Sequence, residues 1–410
     1  MERLSCKPYL QESETIVQTG KINQDALFIP ANVNAALTLT QAQIHAYNHQ
    51  GFLTGLDVFD PMQVKEHRAQ FDQLFTEFLD RGMNGYSING FQTRSTFIYD
   101  LVTNPLILDY VQDVIGPDIV CWGSQFFCKL PGDQREVSWH QDATYWPFEP
   151  TQTVTVWLAI DDVTLKNSPL EVIPGTHRHG PLAIRDSQAD EHNVLSHTLA
   201  HAVMTDPVPM LLDAGQISLH TDLTVHGSKA NRSDKRRCGL AIRYASTHVR
   251  AHLSGWNNTS ILCRGQDQDN YWAHTPRPAE ASPFATNLDT LNQPLAWPSV
   301  SALMQHLRQQ ITDKPDRFKL GIKLQINFID AASVYALKLT DQPDITEGQA
   351  EAPYATMKIA SNDFLHLVAG HIAGDQLYYA GRMQLEGDIN VFARLTELQD
   401  LMRHPSQQAY

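Results

Sequence analysis

No run of eighteen apolar residues occurs anywhere in the chain, which leaves no conventional membrane-spanning helix in its pattern. The stretch Met1 to Gly20 has no apolar core ahead of a small-residue cleavage site, so no secretion signal is read there and a cytoplasmic location is expected. Cysteine is scarce. Cys6, Cys121, Cys128, Cys238 and Cys263 are an odd number without a C-x-x-C pair, which argues against a disulfide scaffold and against a thiolate zinc site. They read as buried free thiols. A basic excess is also missing: the formal net charge is −14, which excludes a partner recognised through its phosphate backbone. No solenoid-length repeat appears.

What remains is an ordinary globular composition, 42% apolar and 19% charged, in 410 residues, too many for one typical core. Composition shifts between Ala273 and Pro298, where five prolines stand among Ala, Ser and Thr with no apolar period. That reads as a semi-rigid linker. The division expected is 1–275, a linker over 276–297, and 298–410. Helices come first: Thr40 and Gln43 form a capping-box pattern with Gly51 as a stop, Asp60-Pro61 opens a helix carrying Phe71, Leu74, Phe75 and Phe78, and Asn104-Pro105 opens another. The texture then changes to short runs rich in β-branched and aromatic residues, "IVCWGSQFFCKL", "TQTVTVWLAIDD", "PVPMLLDAGQISLHTDL" and "RRCGLAIRYAST". The expectation is a mainly β fold, a sandwich or barrel with flanking helices. After the linker a helix "SVSALMQHLRQQI", strands "FKLGIKLQINFID", "SVYALKLT" and "APYATMKIA", a helix capped by Ser361 and a last amphipathic helix from Ile389 to Met402 describe a small α+β domain.

Within "SWHQDATYW" a histidine and an aspartate stand two residues apart, His140 and Asp142. Residues so spaced on a strand share one face and can converge on one ion where the strand ends or bends. His220-Thr221-Asp222 repeats the triplet. A third ligand decides between them, because a facial triad of two imidazoles and one carboxylate needs a distant histidine. Were His220, Asp222 and His226 on one straight strand, the outer two would lie roughly 20 Å apart at about 3.3 Å per residue, too far to share an ion. His140, Asp142 and His226 come from separate strands and can meet by folding. His220 is then an interior histidine beside the site, and His177 and His179 in "VIPGTHRHG" are rivals for the third position that a Pro-Gly loop more often uses structurally.

The run from "FFCKLPGD" through "SWHQDATYWPFEP", "TVWLAIDDV", "VIPGTHRHGPL" and "SLHTDLTVHGSKANRSDKRRCGLAIRYAST" closely resembles the phytanoyl-CoA dioxygenase family of Fe(II)/2-oxoglutarate-dependent oxygenases, over roughly residues 38 to 275. The resemblance implies a double-stranded β-helix, or jelly-roll barrel, with Fe(II) on His140, Asp142 and His226 and with 2-oxoglutarate and O2 as cosubstrates. It puts the cosubstrate arginine at Arg237, assisted by Ser228, with Trp157 and Lys129 as further cosubstrate contacts, each of which could equally be core or surface. A buried dicarboxylate independently calls for a planar guanidinium. Arg236 points to the other strand face as a solvated charge. Tyr145, Trp146 and Phe148 are expected to wall the substrate pocket, and 247–271 to cover its mouth. Where relatives read Asn-Gly-Cys, this chain has Asn167-Ser168-Pro169; Asp142 is intact where related halogenases carry Ala or Gly, which favours hydroxylation.

The last hundred residues, with "FKLGIKLQINFID", "ATMKIASNDFLHLVAG" and "YAGRMQLEGDINVFARL", resemble the sterol carrier protein 2 (SCP2) family over 298 to 403. That resemblance implies an apolar tunnel for acyl chains or sterols; a ligand-free core or a homodimerisation module stays open. Together the two halves imply hydroxylation, or another oxidation, of an aliphatic C–H in an acyl, lipid-like or natural-product substrate, free or carrier-bound, with release of succinate and CO2. A lipid carrier with an inactive oxygenase half, a cupin-like isomerase or hydrolase, and an oxygenase that desaturates, epimerises or cyclises remain alternatives.

Overall fold

The computed structural model describes residues 27–402, apart from 189–190, 192, 202–205, 254, 280–283, 285–287, 389–390, 392–397 and 399–400. Most of the expected last helix, and Cys6, therefore lie outside the described residues.

The helices begin where their caps predict. Thr40 and Gln43 exchange both capping-box bonds, and Gly51 closes that helix with φ +87°, a conformation that favours glycine. Asp60 accepts from the backbone N–H of Met62 and Gln63 at the head of helix Pro61–Asp80, whose Phe71, Leu74, Phe75 and Phe78 are buried. Pro105–Ile115 opens on the Asn104 side chain. A further helix, Thr96–Val102, was not anticipated: its Ser95 cap lies in a run without clear periodicity.

Two sheets face each other as the mainly β reading requires. The larger has six strands in the order Phe52–Asp57, Gln216–Thr221, Thr153–Ala159, Arg237–Ser246, Ile119–Lys129, Ile261–Arg264. The smaller runs Val137–His140, His226–Ser228, Leu170–Val172, Val208–Met210. Thr153–Ala159 is buried along its whole length, so the strand is covered on both faces. The segment 247–271 is not a plain covering loop. It supplies Arg250–Ala251 and the edge strand Ile261–Arg264, although Gly255, Asn258 and Thr259 do reach the cavity described below.

The C-terminal part packs helices Val300–Asp313 and Ser361–Val368 on a five-stranded sheet ordered Asp344–Glu347, Ser333–Leu339, Ile322–Phe328, Ala355–Ile359, Met383–Gly387. Ser361 does not cap its helix as expected. It is the first helical residue, and Asp330 takes its N–H and hydroxyl at 2.9 Å each. Within the proline-rich segment Phe284 is buried against Phe78, and Trp297 Nε1 donates to the Met402 carbonyl at 3.1 Å. No helix among the described residues is long and apolar enough to cross a membrane.

Candidate active site

The strands Val137–His140 and His226–Ser228 pair antiparallel with His226 opposite His140. Directly opposed residues bring their side chains within contact, and the two imidazole centroids lie 4.1 Å apart. After His140 the strand ends in a single 3-10 turn, Asp142–Thr144, that swings the carboxylate back toward both rings. Thr155 from the larger sheet fixes it, its hydroxyl donating to Asp142 Oδ2 at 3.1 Å. His140 Nε2 and His226 Nε2 stand 3.7 and 3.9 Å from Asp142 Oδ1, and the three ligand atoms lie within 4.8 Å of one another.

The far side of each ring sets its chemistry. His140 Nδ1 donates to the Ser138 carbonyl at 2.7 Å and His226 Nδ1 to the Thr224 carbonyl at 2.9 Å. A carbonyl can only accept, so each Nδ1 carries a proton, and the neutral tautomer this selects presents its Nε2 lone pair inward. Burial first, then the imidazoles of His140 and His220, push His226 well below the usual histidine range. Burial would raise Asp142, but the imidazoles of His226, His140 and His220 outweigh it and hold the carboxyl well below the usual range. Two neutral imidazoles and an ionised carboxylate are the donor set of a facial-triad metal site.

Arg237 is 2% exposed and lines the same cavity. Its Nε donates to the Ser168 carbonyl at 2.8 Å and its guanidinium lies 5.4 Å over Trp157, while Nη2 is buried with no acceptor among the described residues. An orphaned buried guanidinium nitrogen fits a ligand carboxylate. Ser228 and Trp157 share the lining. Trp157 fits because Gly239, diagonal to it on the neighbouring strand, leaves room for the indole; a Cβ there would meet it at 2.0 Å. Ser168, the departure noted in the sequence, sits at φ +69°, the region that favours glycine, and its carbonyl is the one that orients Arg237.

Other expectations resolve differently. Lys129 faces neither solvent nor the cavity: it is fully buried and donates to Ser168 Oγ, the Ser228 carbonyl and the Lys229 carbonyl. Burial, then the Arg237 charge, push its amine down to about 6. Arg236 is not a solvated charge, since it forms a bidentate pair with Asp161 at 2.8 and 2.9 Å and a further bond to Asp72. Tyr145 lines the cavity, 5.9 Å from His140, whereas Trp146 and Phe148 point away into an aromatic cluster with Trp122 and Trp272. His177 is buried and bonded to the Asn48 carbonyl, and His179 is exposed.

His220 sits closer than a straight strand allowed. The chain turns after Thr221, with Thr224 N–H bonded to the Thr221 carbonyl, so the His220 and His226 rings come within 4.5 Å. His220 Nε2 is 3.7 Å from Asp142 Oδ2, and neither of its nitrogens has a hydrogen-bond partner among the described residues. Asp222 points elsewhere; burial above all pushes its carboxyl up to about 7.

Residues 47–239 match the phytanoyl-CoA dioxygenase (PhyH) family, and residues 302–400 match the SCP-2 sterol transfer family. This is a PhyH-family domain with an SCP-2 domain behind it. Rat peroxisomal phytanoyl-CoA dioxygenase is 26% identical over 265 residues, 58% of this chain and 74% of that protein. The human enzyme is 24% identical over 241 residues, 52% and 70% respectively. The L-proline trans-4-hydroxylase of Streptomyces griseoviridis is 28% identical over 173 residues, 37% and 64%. Among solved structures, the apo form of the non-heme monooxygenase ThoJ superposes with a TM-score of 0.50 at 25% identity, covering 58% of this chain and 88% of that one.

Proposed function

We propose that the PhyH domain is a non-haem Fe(II)/2-oxoglutarate-dependent oxygenase that hydroxylates, or otherwise oxidises, an aliphatic C–H of an acyl, lipid-like or natural-product substrate. The observation that carries this reading is the presence, in one cavity, of a His-Asp-His triad and a buried arginine with an unpaired Nη2. When bound, Fe(II) with 2-oxoglutarate and O2 supplies oxidising power, with succinate and CO2 as coproducts. The chain's own residues prepare the reaction. His140 and His226 present Nε2 because backbone carbonyls hold Nδ1; Thr155 orients the Asp142 carboxylate; Arg237, aimed by the Ser168 carbonyl, pairs with the far carboxylate of the dicarboxylic acid, and Ser228 and Trp157 flank it. Tyr145 bounds the substrate side. Asp142 would itself hold the metal and leave no place for a chloride there, so hydroxylation is favoured over halogenation. The division of labour proposed is 1–275 for oxidation and 298–410 for lipid binding, joined by 276–297.

The test is anaerobic titration of metal-free protein with Fe(II) and then 2-oxoglutarate, following the weak visible band of the chelate. Wild type should show it, and Asp142→Ala and Arg237→Ala should lose or weaken it. A wild type without the band rejects the oxygenase reading in favour of a carrier.

A further inference from the structure

The cavity that holds the triad does not end at the barrel. From His140, Asp142 and His226 its lining continues to Leu324, Met357, Phe364, Leu367, Val368 and Met383 of the C-terminal sheet and helices. All six are buried apolar side chains. The void measures about 740 Å³, well above what a single amino acid fills and within the range, about 300–1,000 Å³, of sites for lipid-sized or drug-sized ligands. One end is therefore ionisable and the other is hydrocarbon-like.

Three polar ties hold those ends in register. The Tyr378 hydroxyl donates to the Ser87 carbonyl; Asp388 accepts from the Ser196 N–H at 2.8 Å; Asp186 takes the Tyr354 hydroxyl at 2.9 Å and the Lys323 amine at 3.0 Å. Each joins the barrel half to the C-terminal half across the cavity wall.

Arg243 adds a second cation to the lining. It stands opposite Thr155, the residue whose hydroxyl holds Asp142. Its Nη2 donates to the Gln125 amide oxygen, at 3.1 Å, and its guanidinium rests over Trp122 and Trp146. Among the described residues no carboxylate pairs with it. A half-buried guanidinium with no carboxylate in bonding distance, beside an apolar lumen, is matched by an amphipathic anion.

We propose that the SCP-2 domain is the far half of the oxygenase's own substrate chamber, and that the substrate is an elongated amphipathic acid. Its anionic head is held at Arg243 beside the triad while its hydrocarbon chain lies between Met357, Phe364 and Leu367. This rests on the oxygenase reading, but it makes the C-terminal domain part of the active site instead of a separate carrier that hands its cargo over.

The experiment uses the full chain loaded with Mn(II), which is paramagnetic, or with Mg(II) as the diamagnetic reference, and palmitate labelled with ¹³C at either end. Expected is one bound palmitate whose carboxyl resonance is broadened away by Mn(II) while its terminal methyl resonance persists. Met357→Trp, which fills the lumen, should weaken palmitate at least tenfold with Mn(II) affinity unchanged, and Arg243→Gln should weaken palmitate but not hexadecanol. Absence of palmitate binding, a carboxyl signal indifferent to Mn(II), or a Met357→Trp protein that binds palmitate normally would each overturn the proposal; should that variant not fold, the wild-type resonances decide. Mn(II) and 2-oxoglutarate binding, followed separately by electron paramagnetic resonance, keeps the two readings apart: metal binding without palmitate sinks this proposal alone, and palmitate without metal binding sinks both.

Discussion

Replacing Arg237 with Ala should weaken 2-oxoglutarate selectively, and the size of the loss follows from the site. The guanidinium is already desolvated, at 2% exposure, and Nη2 has no acceptor among the described residues, so the fold has met the desolvation cost before ligand arrives. Truncating one partner of a buried, hydrogen-bonded charge pair costs about 2–5 kcal/mol. Taking about 3 kcal/mol, and about 1.4 kcal/mol per decade, the affinity should fall roughly 100-fold. Calorimetric titration of anaerobic, Mn(II)-loaded protein measures it. The control is 2-oxobutyrate, which keeps the 2-keto acid but lacks the far carboxylate. Wild type should bind it about as weakly as Arg237→Ala binds 2-oxoglutarate, and the substitution should leave it unchanged within a few-fold. Arg237→Lys should recover only part of the loss, since an ammonium cannot make two parallel bonds and Ser168 would lose the Nε that fixes its carbonyl. A variant that binds 2-oxoglutarate within threefold of wild type, or that loses both ligands equally, refutes the assignment.

Asp142→Ala and His226→Ala should each cost at least tenfold in Mn(II) affinity while His220→Ala costs only a few-fold; equal losses for His220 and His226 in a titration would make His220 a ligand. Gly239→Ala should destabilise the protein by about 1–3 kcal/mol, read as a lower urea midpoint, because the new Cβ would overlap Trp157 at 2.0 Å. His177→Ala should lower thermal stability through its lost bond to the Asn48 carbonyl yet leave Mn(II) affinity intact. Asp222 carries a folded-state pKa of about 7 against an ordinary 3.8, so the fold binds the extra proton and its stability declines as pH rises from about 4 to about 7. Asp222→Asn should flatten that decline in metal-free protein and raise stability at pH 8, by up to about 4 kcal/mol; an unchanged pH profile would show the carboxyl to be ionised in the fold.

The triad was legible because its chemistry is written in short spacing and in strands that can pair. His140 and Asp142 needed only a strand end between them, and His226 needed only to lie on a neighbouring strand, which the register provides. What misled was the assumption of straightness. His220 was set apart from His226 by distance along an ideal strand, but the turn at 221–224 folds that distance away. Arg236 was misread for another reason: Asp161 and Asp72 are 75 and 164 residues distant, and no local pattern announces them. Trp146 and Phe148 follow the clamp closely enough to suggest a pocket wall, yet the turn at Asp142–Thr144 sends Tyr145 inward and the next aromatics outward. The small-domain strands were visible in their alternation, whereas the cavity they share with the triad depends on the packing of two halves, which no single stretch encodes.

Overall charge is likewise a poor guide to ligand charge. The chain carries −14, but the groups lining the cavity include the buried Arg237 and the half-buried Arg243, neither paired with a carboxylate among the described residues, and Asp142 is engaged with the triad. The acidic residues are mostly on the surface, where water and salt screen them over roughly 10 Å. Inside, the dielectric is lower and each unpaired cation acts at close range. A dianionic cosubstrate and an acidic amphipath can therefore enter an acidic protein and find two cations waiting, one for each anionic end that has no place on the metal. Charge at these two positions, rather than the sum over the chain, decides which molecules the site retains.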